Sequence, residues 1–195
     1  MVELKIPQIY QDNKFIGYGG NQDWFLDLWA RRAGCASVLA SNMYAYYIHK
    51  ERYDLDEFLP VMDKMFQKMT PGNMGYPFLY KFGRTFVKMM ADENYYLKPV
   101  YQKKSKNYKH ALSFVLESLD DAHPVGMLIL HHRAKELEED NWHWICLTGY
   151  IKKDYGYDII FSDCGERRII DDRILFDTYY KNVFKMVRMK KDPTK

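Results

Sequence analysis

The hydrophobic period of this chain changes at Pro124, and that change limits the folds open to it. Before Pro124 apolar residues recur at helical spacing. Leu39, Met43, Tyr46 and Tyr47 do so from Cys35 to about Lys50, and Leu55, Phe58, Leu59, Met62, Met65 and Phe66 from Asp54 to Met69. Further helices are predicted from Tyr76 or Pro77 to Met90 and from Tyr108 to Ser118, with a short strand at Tyr95 to Val100 and a polar loop between them. After Pro124, Val125 to Leu130, Trp142 to Tyr150 and Tyr157 to Ser162 are short apolar or alternating runs parted by charged or glycine-containing turns. Such runs read as strands. Arg168 to Ile170 and Val183 to Met189 extend the set, with a short helix at Asp172 to Tyr180. Helices first and an antiparallel sheet second predict an α+β fold, its central helix starting at Cys35. The first segment, through Gly17 to Gly20, is polar and glycine-rich and reads as a loop that approaches something closely.

A chain of 195 residues suits one domain spanning 1–195 with a sizeable core. With 47% hydrophobic and 28% charged residues it is neither disordered nor low in complexity. A net charge of +3, with basic residues scattered except at Arg188 to Lys191, is no nucleic-acid footprint. The N-terminus lacks the apolar core of a secretory leader, and no run of about 18 apolar residues occurs, so a cytoplasmic protein without membrane contact is expected. Three widely spaced cysteines fit neither a disulfide framework nor a metal knuckle, so reduced thiols and no cofactor are expected.

Each cysteine then needs its own explanation. Cys35 opens a helix, where exposed amide groups and the helix dipole favour a thiolate. Gly34 gives the backbone room to turn, and Arg31 and Arg32 add positive potential. A nucleophilic thiol needs a base, and His143 stands at the beginning of an apolar strand. The base needs an acceptor to fix its tautomer, and Asp163 ends the next strand. One antiparallel register through a Lys152 to Gly156 turn, pairing 150 with 156, also pairs 143 with 163. Cys146 alternates with Ile145 and Leu147 and reads as core, and Cys164 reads as a turn residue beside Asp163. His131, His132 and the Lys135 to Asp140 charge run read as an exposed loop near the site. Zinc on Cys35, His143 and Asp163, or on His131, His132 and Cys164, is the lesser reading, because structural zinc ligands come in tighter pairs.

Gly34-Cys35, His143-Trp144 running into Gly149-Tyr150, and Ile160-Phe161-Ser162-Asp163 together resemble the papain-like cysteine peptidase superfamily. The nearest branch is similar to the bacterial bacteriocin-processing, double-glycine leader peptidases, and the likeness runs from Gly17 to Asp171. It implies a papain-like fold, a Cys35-His143-Asp163 triad, and acylation of the thiol by a peptide or a small amide or ester. Two positions depart from the family pattern. Cys35-Ala36-Ser37 replaces its Cys-Gly-Pro, and Trp29 occupies the place of its oxyanion-hole glutamine. Asn21 and Gln22, after the glycine-rich segment, are the substitutes, Gln22 having the longer reach. A thiol hydrolase is the leading reading. An acyltransferase or transglutaminase-like enzyme shares the acyl-thiol intermediate, and an inactive binding module shares the fold.

Overall fold

The computed structural model describes residues 1–103, 107–177 and 181–193. Its N-terminal segment is not a loop. β1 (Val2–Glu3), β2 (Gln8–Gln11) and β3 (Lys14–Tyr18) are strands, and Asp12 and Asn13, both at positive φ, turn β2 into β3. Asp and Asn tolerate that left-handed conformation, and the pair marks a hairpin turn even without glycine. The 3-10 turn Gln22–Trp24 and α1 (Leu28–Ala33) follow, and α2 (Cys35–Tyr47) is the central helix. β4 (Arg52–Asp54) pairs in parallel with β2. α3 (Leu55–Lys68) starts on a capping box between Asp54 and Glu57. α4 (Leu79–Asp92), β5 (Leu97–Gln102) and α5 (Tyr108–Asp120) complete the half before Pro124. The polar loop expected before α5 includes 104–106, which lie outside the described residues.

β6 (Val125–His131), β7 (His143–Lys152), β8 (Tyr157–Asp163), β9 (Glu166–Asp171), α6 (Asp172–Leu175) and β10 (Val183–Lys191) follow. Residues 178–180 of the helix expected at 172–180 lie outside the described residues. The larger sheet runs β5-β10-β6-β7-β8-β9 with antiparallel neighbours, and β1 adds to the far end of β7. The fold is therefore α+β.

Alternation along β7 explains the layering. Trp144 and Cys146 face the core built with α2 and α4, whereas Ile145 and Leu147 face the core built with α5. α2 is buried on nearly all sides, because the sheet covers one flank and α3 and α4 the other. A helix so placed must be apolar or small all round, as its Ala36, Val38, Leu39, Ala40 and Met43 are. Its N-terminus is thereby fixed relative to β7. No helix among the described residues is long and apolar enough to cross a membrane.

Candidate functional site

The β7–β8 register differs from the expected one. Cys146 faces Ser162 and Leu147 faces Phe161, then the pairing shifts by a residue at Thr148 so that Tyr150 faces Ile159. Such a bulge lets Gly149 slide under β1, where a Cβ would lie 2.5 Å from the Val2 carbonyl oxygen. His143 and Asp163 are therefore diagonal neighbours instead of direct partners. Diagonal residues on one face still fall within reach of long side chains. The His143 Nε2 lies 2.8 Å from Asp163 Oδ1.

The strand is held in place one residue further on. Trp144 stacks on Phe82 with centroids 4.8 Å apart and donates its Nε1–H to the Tyr76 carbonyl at 2.8 Å. Trp142, just before His143, has φ 62° and is 54% exposed. A bulky residue at positive φ is held there only by its surroundings. The same strained turn starts β7 at His143 and presents the indole to solvent.

Asp163 is positioned by a two-residue hairpin. Cys164 and Gly165 have φ 44° and 81°, as the two central residues of a type I′ turn require, and Asp163 pairs with Glu166 across it. The hairpin brings Arg168, opposite Phe161, back onto the face of Asp163. Arg168 donates to Asp163 Oδ2, to Asp140 Oδ1 at 2.9 Å and to the Glu136 carbonyl at 2.6 Å. A chain of alternating charge, His143–Asp163–Arg168–Asp140, results. Asp140 is buried, and so is His132, whose ring contacts the Ala134 N–H and the Asn182 carboxamide. The 131–140 segment is thus partly folded in, because Arg168 and Asn182 supply partners that a solvated loop would not need. His132 is committed to that network and not to Cys164.

Cys35 sits at the start of α2, buried, and lines one cavity with His143, whose imidazole favours its thiolate. Gly34 is there for closeness more than for a special turn. Its φ is −86°, but a Cβ would lie 2.4 Å from the Ala30 carbonyl oxygen and 2.7 Å from Phe25. Burial opposes the Cys35 thiolate, yet His143 and the backbone N–H groups of Trp144 and Ala36 outweigh it and pull the thiol below its ordinary value. Burial likewise opposes the imidazolium of His143, and Asp163, Cys164 and Cys35 overcome it and hold the ring well above its usual range. Asp163, despite burial, is kept ionised by His143 and Arg168. These directions agree with one another, since each of Cys35 and His143 favours the charged form of the other.

The glycine-rich segment aims Gln22. The Gly20 N–H donates to Asn42 Oδ1 at 2.8 Å, and Ser162 Oγ donates to the Tyr18 carbonyl at 2.7 Å. Gly19 has φ 78°, and a Cβ there would meet Asn42 Nδ2 and Ser162 Oγ, each at 2.5 Å. The segment is thus clamped between the Cys35 helix and the Asp163 strand. Gln22 lines the cavity beside Cys35 and His143, and its Oε1 is buried with no hydrogen-bond partner among the described residues. Asn21 instead uses its Oδ1 to accept from the Asp23 N–H and faces the opposite cleft.

Two clefts meet at His143. One, of about 500 Å³, carries Trp29, Arg32, Met74 and Trp142 beside Cys35. The other, of about 620 Å³, is rimmed by acidic side chains and reaches Asp163 and Cys164. Cys146 is core, and burial raises its thiol to about 12. No family model and no curated protein matches this chain.

Arg168 and Asp140 escaped the sequence reading. Had Cys164-Gly165 been taken as a two-residue turn, strand alternation would have placed Arg168 on the face of Asp163. Asp140 had no such signal, since a buried carboxylate inside an acidic run looks like its solvated neighbours.

Proposed function

We propose that this chain is a papain-like thiol hydrolase acting on a peptide or a small amide or ester through an acyl-Cys35 intermediate. The observation that carries the reading is that Cys35, His143 and Asp163 line one cavity, with His143 Nε2 2.8 Å from Asp163 Oδ1 and the imidazole favouring the Cys35 thiolate. A central helix whose N-terminal cysteine opens onto the first residue of an antiparallel strand supports the papain-like architecture.

Asp163 takes Nε2, which leaves Nδ1 as the nitrogen that exchanges a proton with Cys35. The thiolate attacks the substrate carbonyl carbon, and His143 passes its proton to the departing amine or alcohol. Water enters, gives a proton to His143, and releases the acid from the thioester. The Cys35 N–H and the Gln22 carboxamide supply the oxyanion donors. The exposed Trp29, Met74 and Trp142 line the cleft next to Cys35 and suit an apolar side chain near the scissile carbonyl.

The test is direct. Activated esters and peptide amides are offered to the protein, the reaction is quenched in acid, and intact mass followed by peptide mapping seeks an acyl group on Cys35. The expected result is an adduct on Cys35 that turns over in the native protein, accumulates in His143→Ala, and is missing in Cys35→Ala. Acylation elsewhere, or none under conditions where iodoacetamide labels Cys35, overturns the reading.

A further inference from the structure

Cys164 takes no part in the proposed reaction, yet its sulfur lies 3.8 Å from His143 Nε2, on the Asp163 side of the ring. The ligand atoms of His143, Asp163 and Cys164 all lie within 4.8 Å of one another. Zinc bonds of about 2.0–2.3 Å in a tetrahedron set nitrogen, oxygen and sulfur ligands roughly 3.3–3.7 Å apart. The Cys164–His143 separation of 3.8 Å lies just beyond that range, and the His143–Asp163 separation of 2.8 Å has to open by only a fraction of an ångström. The left-handed turn at Cys164 aims the sulfur inward from the end of β8.

The approach to these atoms is charged in the matching sense. The cleft that reaches them is rimmed by Asp23, Glu136, Glu138, Glu139 and Glu166, opposed by Lys135 and Arg168. A cleft lined by one sign of charge raises the local concentration of the opposite ion. Asp140, at its floor, leaves Oδ2 without a partner among the described residues.

We infer that His143 Nε2, Asp163 Oδ1 and Cys164 Sγ form a reversible site for a soft divalent cation of the zinc class, entered from the acidic cleft, which switches Cys35 off. On binding, Cys164 releases its thiol proton to solvent and His143 loses the Nε2 proton. The ring keeps its remaining proton on Nδ1 and can no longer pass protons to and from Cys35. The fourth position is open to water from the cleft. Cation binding stands independently of the proposed hydrolysis, whereas its effect on turnover rests on that reading.

The experiment uses the full chain with cadmium and zinc as probes. In a Cys35→Ser background, with Cys146 buried in the core, cadmium titration is followed by the ultraviolet thiolate-to-cadmium absorption. The band is expected to saturate at one equivalent and to vanish when Cys164→Asn is added. Asn suits a left-handed position followed by glycine, so this variant keeps the turn. In the native protein zinc slows alkylation of Cys35 by iodoacetamide, chelation restores it, and Cys164→Asn raises the zinc concentration required roughly 100-fold. An unchanged cadmium band or undiminished zinc potency in Cys164→Asn overturns the site, since the metal would then sit on other ligands. Neither readout needs turnover, so a lack of hydrolase activity counts against the proposed reaction and not against this site.

Discussion

His143 Nε2 stands 2.8 Å from Asp163 Oδ1 while Cys35 lines the same cavity and feels the charge of the same ring, so the carboxylate acts on the sulfur through the imidazole. Asp163 raises the affinity of His143 for its proton, and the resulting positive charge lowers that of Cys35. In the native protein iodoacetamide should therefore label Cys35 well below the ordinary thiol value of about 8.5. Asp163→Asn removes the anion, weakens the imidazolium, and should move the rising limb of labelling to higher pH. A profile identical to the native one would mean that Asp163 does not set the charge of the pair.

Hydrolysis should follow a bell in pH, rising as Cys35 loses its proton and falling as His143 loses its own. Acid inactivation should precede unfolding. Asp163 has a depressed value in the fold, so its stabilising effect is complete above the unfolded value of about 3.9 and is lost only as pH falls through the still lower folded one. Circular dichroism recorded beside kcat/KM checks this, and coincident losses would contradict it.

Much of the site was legible because strand and helix termini leave marks in sequence. Gly34-Cys35 before an apolar periodic run announced a helix start, and His143 and Asp163 stood where the polar end of each strand meets its apolar body. The register was misjudged because the strands close on Lys152 and Tyr157, so that Tyr150 faces Ile159 and not Gly156, and the bulge at Thr148, where β1 joins β7, then shifts the pairing by one residue. Lys14 to Tyr18 is a strand paired with β2, although the glycines at 17, 19 and 20 read as a loop that approaches something closely. In the fold they serve close approach, to Trp24 at Gly17 and to Asn42 and Ser162 at Gly19.

That close approach predicts a structural cost with a functional consequence. Gly19→Ala introduces a Cβ at positive φ and 2.5 Å from two polar side chains, which should destabilise the fold by about 1–3 kcal/mol. Urea denaturation measures the loss. Below the transition the variant should also lose turnover, because Gln22 is only three residues further along. Unaltered stability would show that Asn42 and Ser162 yield without strain.

Trp142 predicts a different split. Its exposed indole lines the cleft beside Cys35 and contributes no partner to His143. Trp142→Ala should raise KM for substrates with an apolar side chain near the scissile bond, leaving Cys35 alkylation near its native rate. A change confined to kcat would place the indole's effect on the imidazole instead.

The sharpest prediction concerns Gln22. The developing oxyanion needs donors fixed in advance, and removing one costs about 100- to 1000-fold in turnover. Gln22 lines the cavity with Cys35 and His143 because the clamp on Tyr18, Gly19 and Gly20 directs the chain there. Its Oε1 has no partner among the described residues, so packing and the backbone path hold the carboxamide, and Nε2 is the donor it can offer the substrate. Gln22→Ala should then depress kcat by that factor. Iodoacetamide labelling of Cys35 should be nearly unaffected, since alkylation at saturated carbon creates no oxyanion. Gln22→Glu, which keeps the shape but adds a negative charge near the sulfur, should depress turnover further and move Cys35 labelling to higher pH. If Gln22→Ala lowers turnover and labelling equally, the residue supports the position of the thiol, and the second oxyanion donor has to be sought elsewhere around Cys35.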